Sequence, residues 1–454
     1  MSALVDVLPL AMFAALAAGM FTGLPVAFVL GGVGVLFGGL AILLGEMPAI
    51  MFFNLVPRIW GGIAENLVLV SVPSFIFMGT MLERSGLAED LLSALDRVLH
   101  RMPGGLLLSV TGLGTIFAAT TGIVGASVVM MTTLALPSLL RAEVNGGLAA
   151  GTIASSATLG ILIPPSIMLV VMADMMSVSV GRLFLGAALP GLLLAGLYAL
   201  YIFATALLRP HMAPRRVPLI ADDDTPLGLL ILRGLVPPVI LILAVLGSIF
   251  GGIATPTEAA GVGALAALLL AALKGRASWS VIDDVCQRTA RMVGMIFFIF
   301  IGATAFSLIF RILGGDELIE GIIAALGVGP WGTLGLIMGV MFVLGFFLDW
   351  VEITLIILPV FTPIIIGLDF APHVARGDVI FWFAILIAIN LQTSFLTPPF
   401  GMSLFYLKAI AGRQIAMATI FRGVLPFVLL QLVGLGLVMA FPEIALSLPD
   451  RMLN

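Results

Sequence analysis

The stretch NLQTSFLTPPFGMS, Asn390 to Ser403, stands between two runs of ordinary membrane-helix character, FWFAILIAI before it and LFYLKAIAG after it. It places two amide side chains, several hydroxyls, two prolines and a glycine where a spanning helix would meet lipid. Such a sequence interrupts a helix, because proline removes a backbone donor and clashes with the preceding turn. In hydrocarbon an interrupted backbone persists only if protein or a water-filled cavity covers it.

That the surroundings are membrane follows from composition. Of the 454 residues, 61% are hydrophobic and only 10% charged, with a mean hydropathy of +1.26. A soluble domain carries about 25% charged residues. Apolar segments of about 20 residues recur along the chain, each able to cross the hydrocarbon layer as a helix. Alternating segments of about 10 residues would suit a β-barrel and are not the pattern here. The first apolar run lacks a basic start and a clear small-residue cleavage site, and it reads as a retained span.

The motif has a partner. TLGILIPPSIML (Thr158 to Leu169) aligns with QTSFLTPPFGMS (Gln392 to Ser403) on the double proline. Two further pairs keep the same order. GMFTGLPVAFVLGGVGVL (Gly19 to Leu36) matches SIFGGIATPTEAAGVGAL (Ser248 to Leu265), and GIVGASVVMMTTLALPSLL (Gly122 to Leu140) matches FLDWVEITLIILPVFTPII (Phe347 to Ile365). The chain therefore reads as two repeats, 1–207 and 229–454, joined by a polar linker at 208–228.

Full crossings are expected near 8–26, 27–45, 63–83, 147–173 and 183–207, then near 229–250, 252–273, 290–311, 379–407 and 421–441. Within these, 147–173 and 379–407 are the broken helices. Between the third and fourth crossing of each half lies an apolar segment, 104–140 or 330–367, interrupted by TTGIVGAS or GFFLDWVE. Each is expected to enter and leave on one side as a re-entrant hairpin. Five crossings plus a hairpin invert the second half relative to the first. The predicted fold is thus an all-α polytopic membrane protein, an inverted repeat of five transmembrane helices plus one re-entrant hairpin in each half.

Charge orients it. With the N-terminus outside, Arg84, Arg97, Arg101, Arg141, Arg209, Arg215, Arg216, Arg233, Lys274, Arg276, Arg288, Arg291, Lys408, Arg413 and Arg422 are cytoplasmic. Only Arg58, Arg182, Arg311, Arg376 and Arg451 fall outside, as the positive-inside rule requires. Residues 85–101 and 312–326, charged at helical spacing, are expected as interfacial helices.

The breaks carry the chemistry. Around Pro164-Pro165 and Pro398-Pro399, carbonyls freed from the helix ladder and the hydroxyls of Ser155, Ser156, Thr158, Thr393, Ser394 and Thr397 could coordinate Na⁺. Half-helix N-termini at the breaks and tips suit a carboxylate. Each hydroxyl has a plainer reading as a bond back to its own helix, and each proline as a kink. Asp349 and Glu352 are the sharpest intramembrane charges, either as cation ligands or, for Asp349, as a helix cap. With the Leu136-Pro137 and Leu358-Pro359 pairs in register, their counterparts in the first half are Ser127 and Met130, both neutral. Glu258, in TPTEA, reads as a cap or a pairing partner, and Asp174 as a boundary residue.

Other classes find little support. A lone Cys286 allows no intrachain disulfide, and His100, His211 and His373 fall in predicted loops. Asp222, Asp223 and Asp224 form a solvated run in the linker. There is no zinc helix, phosphate loop or nucleophile elbow. The net charge of −4 gives no sign of nucleic-acid binding. An intramembrane enzyme would need a catalytic constellation that Asp349 and Glu352 do not make alone, so no cofactor is expected beyond coupling sodium ions.

Taken together, ATTGIVGAS, GILIPPS, ATPTEAAGVG, FFLDWVEITLIILPVFTPI and NLQTSFLTPPFGMSLFYLKA resemble the large, DctM-like membrane subunit of tripartite ATP-independent periplasmic (TRAP) transporters, in order and over essentially the whole chain. The resemblance implies an elevator-type carrier of the ion-transporter superfamily in the bacterial inner membrane. It also implies a small four-helix membrane subunit and a periplasmic solute-binding protein as partners, and Na⁺-driven uptake of an organic acid without ATP hydrolysis. By the same resemblance, Thr120 to Ser127 with Ser155 to Pro165 would frame one Na⁺ site, and Gly345 to Asp349 with Thr393 to Pro399 the other. Solute would lie between the tips, near Thr120, Thr121, Ser127, Asn390, Gln392 and Thr393. One departure stands out: a first tip of TTGIVGAS replaces the SGSS form of many sialic acid and C4-dicarboxylate members. A stand-alone ion-coupled carrier of the same superfamily is the alternative.

Overall fold

The computed structural model describes residues 7–121, 124–214, 226–398 and 401–453, with side chains at 118–121 excepted. Within them the chain is helical throughout, with no strand. Seven helices are at least 18 residues long and apolar enough to span a bilayer: Val26–Leu43, Val124–Arg141, Val180–Leu208, Leu227–Phe250, Pro256–Leu273, Trp279–Ile312 and Met417–Ala440. The other predicted crossings fall on shorter pieces. Leu8–Met20 and Ser71–Arg84 are single short helices. The two double-proline segments are divided, into Gly146–Thr158 and Ile167–Met175, and into Val379–Ser394 and Met402–Ala411.

Glycine decides how the long helices meet. A Cβ added at Gly34 would lie 2.9 Å from the Ala305 carbonyl carbon, and one at Gly302 would lie 2.5 Å from the Ala27 carbonyl oxygen. Val26–Leu43 therefore packs backbone to backbone on Trp279–Ile312. A Cβ at Gly423 would lie 2.0 Å from the Gly147 oxygen, and one at Gly151 would lie 2.2 Å from the Gly423 oxygen. This joins Gly146–Thr158 to Met417–Ala440. Small residues do this work in membranes because lipid supplies no hydrophobic drive between helices, leaving close van der Waals contact to hold them.

In both pairs the contacts advance in the same chain direction: Gly31 meets Gly302 and Gly34 meets Ala305, while Gly147 and then Gly151 meet Gly423 and Phe427. The paired helices run parallel. Two further pairings cross the halves in the same manner, Ser71–Arg84 with Pro256–Leu273 and Val180–Leu208 with Val379–Ser394.

Several boundaries differ from the sequence reading, each for a local reason. The third crossing begins at Ser71, not at 63, because the Asn66 side chain accepts from the N–H groups of Val68 (3.0 Å) and Leu69 (3.4 Å) and holds a turn there. Before it, Ala49–Asn54, Leu55–Ile59 and the π-turn Trp60–Ala64 form a helical run in a stretch expected as loop. Prolines 48 and 57 obscure its period in the sequence. Pro256–Leu273 starts late because Thr255 and Glu258 form a capping box, so Glu258 caps.

Trp279–Ile312, at 34 residues, begins well before the expected 290 and spans about 51 Å at 1.5 Å per residue. Its polar first turns carry Asp284, which pairs with Arg84 (2.5 Å) and Arg288 (3.0 Å). Amphipathic helices Leu87–Leu99 and Gly315–Leu326 occupy the two stretches expected to be interfacial, and Lys274 pairs with Asp90 on the first of them. Glu443–Leu453, a helix the sequence reading did not separate, packs on Val180–Leu208, where Arg182 pairs with Asp378 (2.5 Å) and Asp450 (3.4 Å). Most of the linker, 215–225, lies outside the described residues, with Arg215, Arg216 and Asp222 to Asp224 in it.

The glycine contact yields a direct prediction. Gly423→Ala should lower the melting temperature in detergent, an overpacking cost of about 1–3 kcal/mol. Gly261→Ala, which meets nothing within 4 Å, should leave it unchanged or slightly raised. Equal melting of the two variants would refute the close-packed contact.

Candidate ion and solute site

The first break follows from its sequence. Gly146–Thr158, capped by Asn145 Oδ1 on the N–H groups of Gly147 (3.0 Å) and Leu148 (3.2 Å), tightens into a 3₁₀ turn at Leu159–Ile161. The N–H groups of Leu162 (3.0 Å) and Ile163 (2.9 Å) both donate to the Leu159 carbonyl, and the prolines then offer no donor. Pro164 is joined to Pro165 by a cis bond, and helix resumes at Ile167.

Ser155, Ser156, Thr158 and Ser166 are wholly buried here. Ser155 donates to Gly151 O (2.7 Å), Thr158 to Ser155 O (2.8 Å) and Ser166 to Ile161 O (2.5 Å). Ser156 reaches sideways to Thr111 Oγ1 (3.4 Å) in Gly105–Thr121, where a Cβ on Gly114 would lie 2.6 Å from the Ser156 Cβ. The first hairpin arm thus lies directly on the break.

The second break is built alike. Thr393 donates to Asn390 O (2.6 Å), Ser394 to Leu391 O (2.7 Å) and Thr397 to Thr393 O. After Pro398, Pro399 and Phe400 lie outside the described residues, and Gly401 N–H returns to Thr397 O (3.0 Å). A Cβ on Gly401 would lie 3.0 Å from Phe395 O and 3.1 Å from Thr397 O, so the chain folds back there with little room for a side chain. The hydroxyls do bond back to their own helices, as the plainer reading has it. A hydroxyl that donates keeps its lone pairs, and these remain available to a cation.

The second tip reaches this break. Pro330–Leu344 ends at Gly345, whose added Cβ would lie 2.5 Å from Ser394 Oγ. Asp349 Oδ1 accepts from Trp350 N–H (2.7 Å), so the capping role of Asp349 is real and leaves its second oxygen for another partner. Glu352 is 3% exposed, with Oε2 lacking any hydrogen bond. Asn390 Nδ2 donates to Met338 O (2.8 Å), tying the broken helix to the hairpin arm, while its Oδ1 has no partner. Gln392 is wholly buried with neither amide atom bonded, and Ser403 Oγ is likewise unpartnered. Buried polar atoms normally find partners, and several unpartnered ones gather beside this break.

The two tips do not converge to the same degree in what is described. Gly125, at the first tip, packs on the Tyr406 ring, 3.0 Å from a built Cβ, and so meets the helix that follows the second break. Ser127 is buried nearby. The side chains of Thr120 and Thr121 lie outside the described residues. Asp349, Gly345 and Ser394 share a cavity of about 270 Å³ with Phe395, Met402 and the Leu8–Met20 helix. Sequence reasoning did not assign Ser403 or Thr354, whose Oγ atoms are buried and unpartnered. Among apolar neighbours, a single hydroxyl gives no periodic signal to find it by. Among the described residues no three His, Cys, Asp or Glu side chains gather as a metal site. Hydroxyl and carbonyl oxygens are the groups on offer, the hard ligands that suit an alkali cation.

Comparison with known proteins places this arrangement. The profile of the tripartite ATP-independent periplasmic transporter DctM component matches residues 13–444. The chain belongs to this family. A C4-dicarboxylate TRAP large permease from Pseudomonas aeruginosa is 30% identical over 85% of this chain and 87% of its own length. An ectoine/5-hydroxyectoine TRAP large permease from Ruegeria pomeroyi is 30% identical over 84% and 86%. A sialic acid TRAP large permease from Vibrio cholerae is 28% identical over 96% and 97%. The crystal structure of the Alcanivorax borkumensis YdaH transporter, described as having an unusual topology, superposes with a TM-score of 0.65 at 17% identity. It covers 89% of this chain and 90% of its own, a likeness of fold alone. Family and apolar helices together make this TRAP large permease a multi-pass membrane protein.

Two substitutions test whether the second break holds a coupling sodium ion, the reading proposed below. Asp349→Asn should weaken sodium-dependent uptake with little loss of folded protein, and an unaltered sodium dependence would remove Asp349 from the ion site. Thr397→Val should raise the sodium concentration needed for half-maximal uptake, whereas an unmoved titration would leave Thr397 as a kink residue.

Proposed function

We propose that this permease carries out sodium-coupled uptake of a carboxylate-bearing organic solute, delivered by a periplasmic binding protein, in a complex with a small four-helix membrane subunit of the bacterial inner membrane. The observation that carries the reading is the meeting of the second hairpin tip with the second break at Gly345 and Ser394, beside the unpartnered Asn390 Oδ1 and Gln392 amide. A tip seated on freed carbonyls can close over an ion and a solute in one movement.

The helix pairings favour the inverted-repeat plan. Val26–Leu43 runs parallel to Trp279–Ile312, and Gly146–Thr158 runs parallel to Met417–Ala440, each pair drawn from both halves. If second-half elements are inverted, a second crossing of one half lies parallel to a third crossing of the other, and a fourth to a fifth. On this plan the hairpins and broken helices, with the last crossing of each half, span 104–207 and 330–441 and form a unit that moves against the frame of the remaining helices, as in an elevator.

The two Na⁺ sites are assigned to Ser155, Ser156, Thr158 and Pro164 at the first break, and to Thr393, Ser394, Thr397, Pro398 and Asp349 at the second. Solute is assigned to the space between the tips, bounded by Thr120, Thr121, Ser127, Asn390, Gln392 and Thr393. The relatives' names span C4-dicarboxylates, ectoine, sialic acid and isethionate, so no single name carries over as the solute.

Uptake into proteoliposomes containing both membrane subunits decides the matter, with a panel of organic acids offered with and without a binding protein. Accumulation that requires an inward sodium gradient and the binding protein is the expected result. Uptake indifferent to sodium would overturn the coupling. Uptake indifferent to the binding protein would favour a stand-alone carrier.

A further inference from the structure

Behind the first break, three polar side chains from three helices converge in an otherwise apolar interior. Thr158 ends Gly146–Thr158, Tyr198 lies in Val180–Leu208, and Gln431 lies in Met417–Ala440. All three have 0% exposure. The Tyr198 hydroxyl sits beside both the Gln431 amide and the Thr158 hydroxyl. It meets neither in a well-formed hydrogen bond, and both amide atoms of Gln431 are also without one.

The placement is not accidental to the packing. The Gly147, Gly151 and Gly423 contact presses the two parallel helices together, and Phe427 follows Gly423 by one turn. Tyr198 packs edge-on to the Phe427 ring, with centroids 5.4 Å apart. Gln431 is the next turn again, which carries its amide to the Tyr198 hydroxyl.

A wholly buried primary amide without partners costs several kcal/mol by transfer scales, which a leucine of similar size would avoid. Its presence calls for a polar task. The amide oxygen could serve a cation directly, but the polar neighbour it has here is the Tyr198 hydroxyl. Acting through Tyr198 fits well, because the Tyr198 hydroxyl lies beside Thr158 as well, and Thr158 in turn donates to Ser155 O at 2.8 Å.

We infer that Tyr198 and Gln431 are positioning residues for the first break, fixing the Thr158 hydroxyl and through it the Ser155 carbonyl. They act on the ion site from behind, and from helices outside both hairpins. This rests on the assignment of Thr158 and Ser155 to a sodium site. It ties the last crossing of each half to the state of the break.

The test uses the full carrier with its partner subunit and binding protein. Tyr198→Phe removes one oxygen, Gln431→Leu removes the amide, and Tyr201→Phe is the control on the same Phe427 ring, 5.2 Å away. Each of the first two should raise half-saturating sodium roughly three- to tenfold, the scale of one net hydrogen bond. The maximal rate at saturating sodium should hold within about twofold, and the double variant should shift less than the product of the singles, as coupled neighbours do. Tyr201→Phe should not move the titration. A lowered melting temperature with an unmoved sodium titration would make the pair mere packing and overturn the inference. Should Gln431→Leu not fold, Tyr198→Phe alone decides. Absence of any sodium dependence in the unsubstituted carrier would instead overturn the coupling reading on which the inference stands.

Discussion

A broken helix in a bilayer must have its freed backbone groups covered by protein, and this constraint shapes the rest of the molecule. Lipid offers no donor or acceptor, and each uncovered group costs several kcal/mol. The first double-proline break accordingly lies in the most buried part of the chain, residues 147–173 being buried without interruption; the helix leading to the second is almost wholly buried over 379–396, with Thr397 half-buried and Pro398 exposed at its end. The glycine contacts are what make such burial attainable. Gly147 and Gly151 draw Met417–Ala440 onto the first broken helix, and Gly345 admits the second tip to within contact of Ser394.

The same covering explains why polar chemistry survives here. Serine and threonine at the breaks donate back to the carbonyls behind them, which satisfies their protons and leaves their oxygen lone pairs free to accept. Asn390 spends one end of its amide on Met338 O and keeps the other, and Gln392 keeps both. On the proposed reading, a site of this kind would hold a small cation by oxygens already in place.

Much of this was legible in the sequence, for identifiable reasons. The double prolines, the polar interruption GFFLDWVE and the recurrent apolar segments are local or additive signals, and they marked the divided helices and a multi-pass helical chain. The family resemblance, carried by several motifs in order, agrees with the profile match over residues 13–444. Helix starts were less legible. Ser71 follows a turn held by Asn66, and Pro256 a Thr255–Glu258 box, and both depend on side-chain geometry that hydropathy does not weigh. The helical run at Ala49–Ala64 was hidden by proline, and Tyr198 with Gln431 by distance along the chain. Contact between residues 158, 198 and 431 depends on which helix lies beside which, and no window of sequence records that.

The central claim is that the second break and the second tip hold a cation together. Cryo-electron microscopy of the carrier with its partner subunit, in sodium and in choline, tests it most directly. The account predicts density in sodium alone, bounded by oxygens of Thr393, Ser394 and Thr397 and by the tip from Gly345 to Asp349. Identical, empty breaks in the two salts, with the tip equally seated in both, would contradict it.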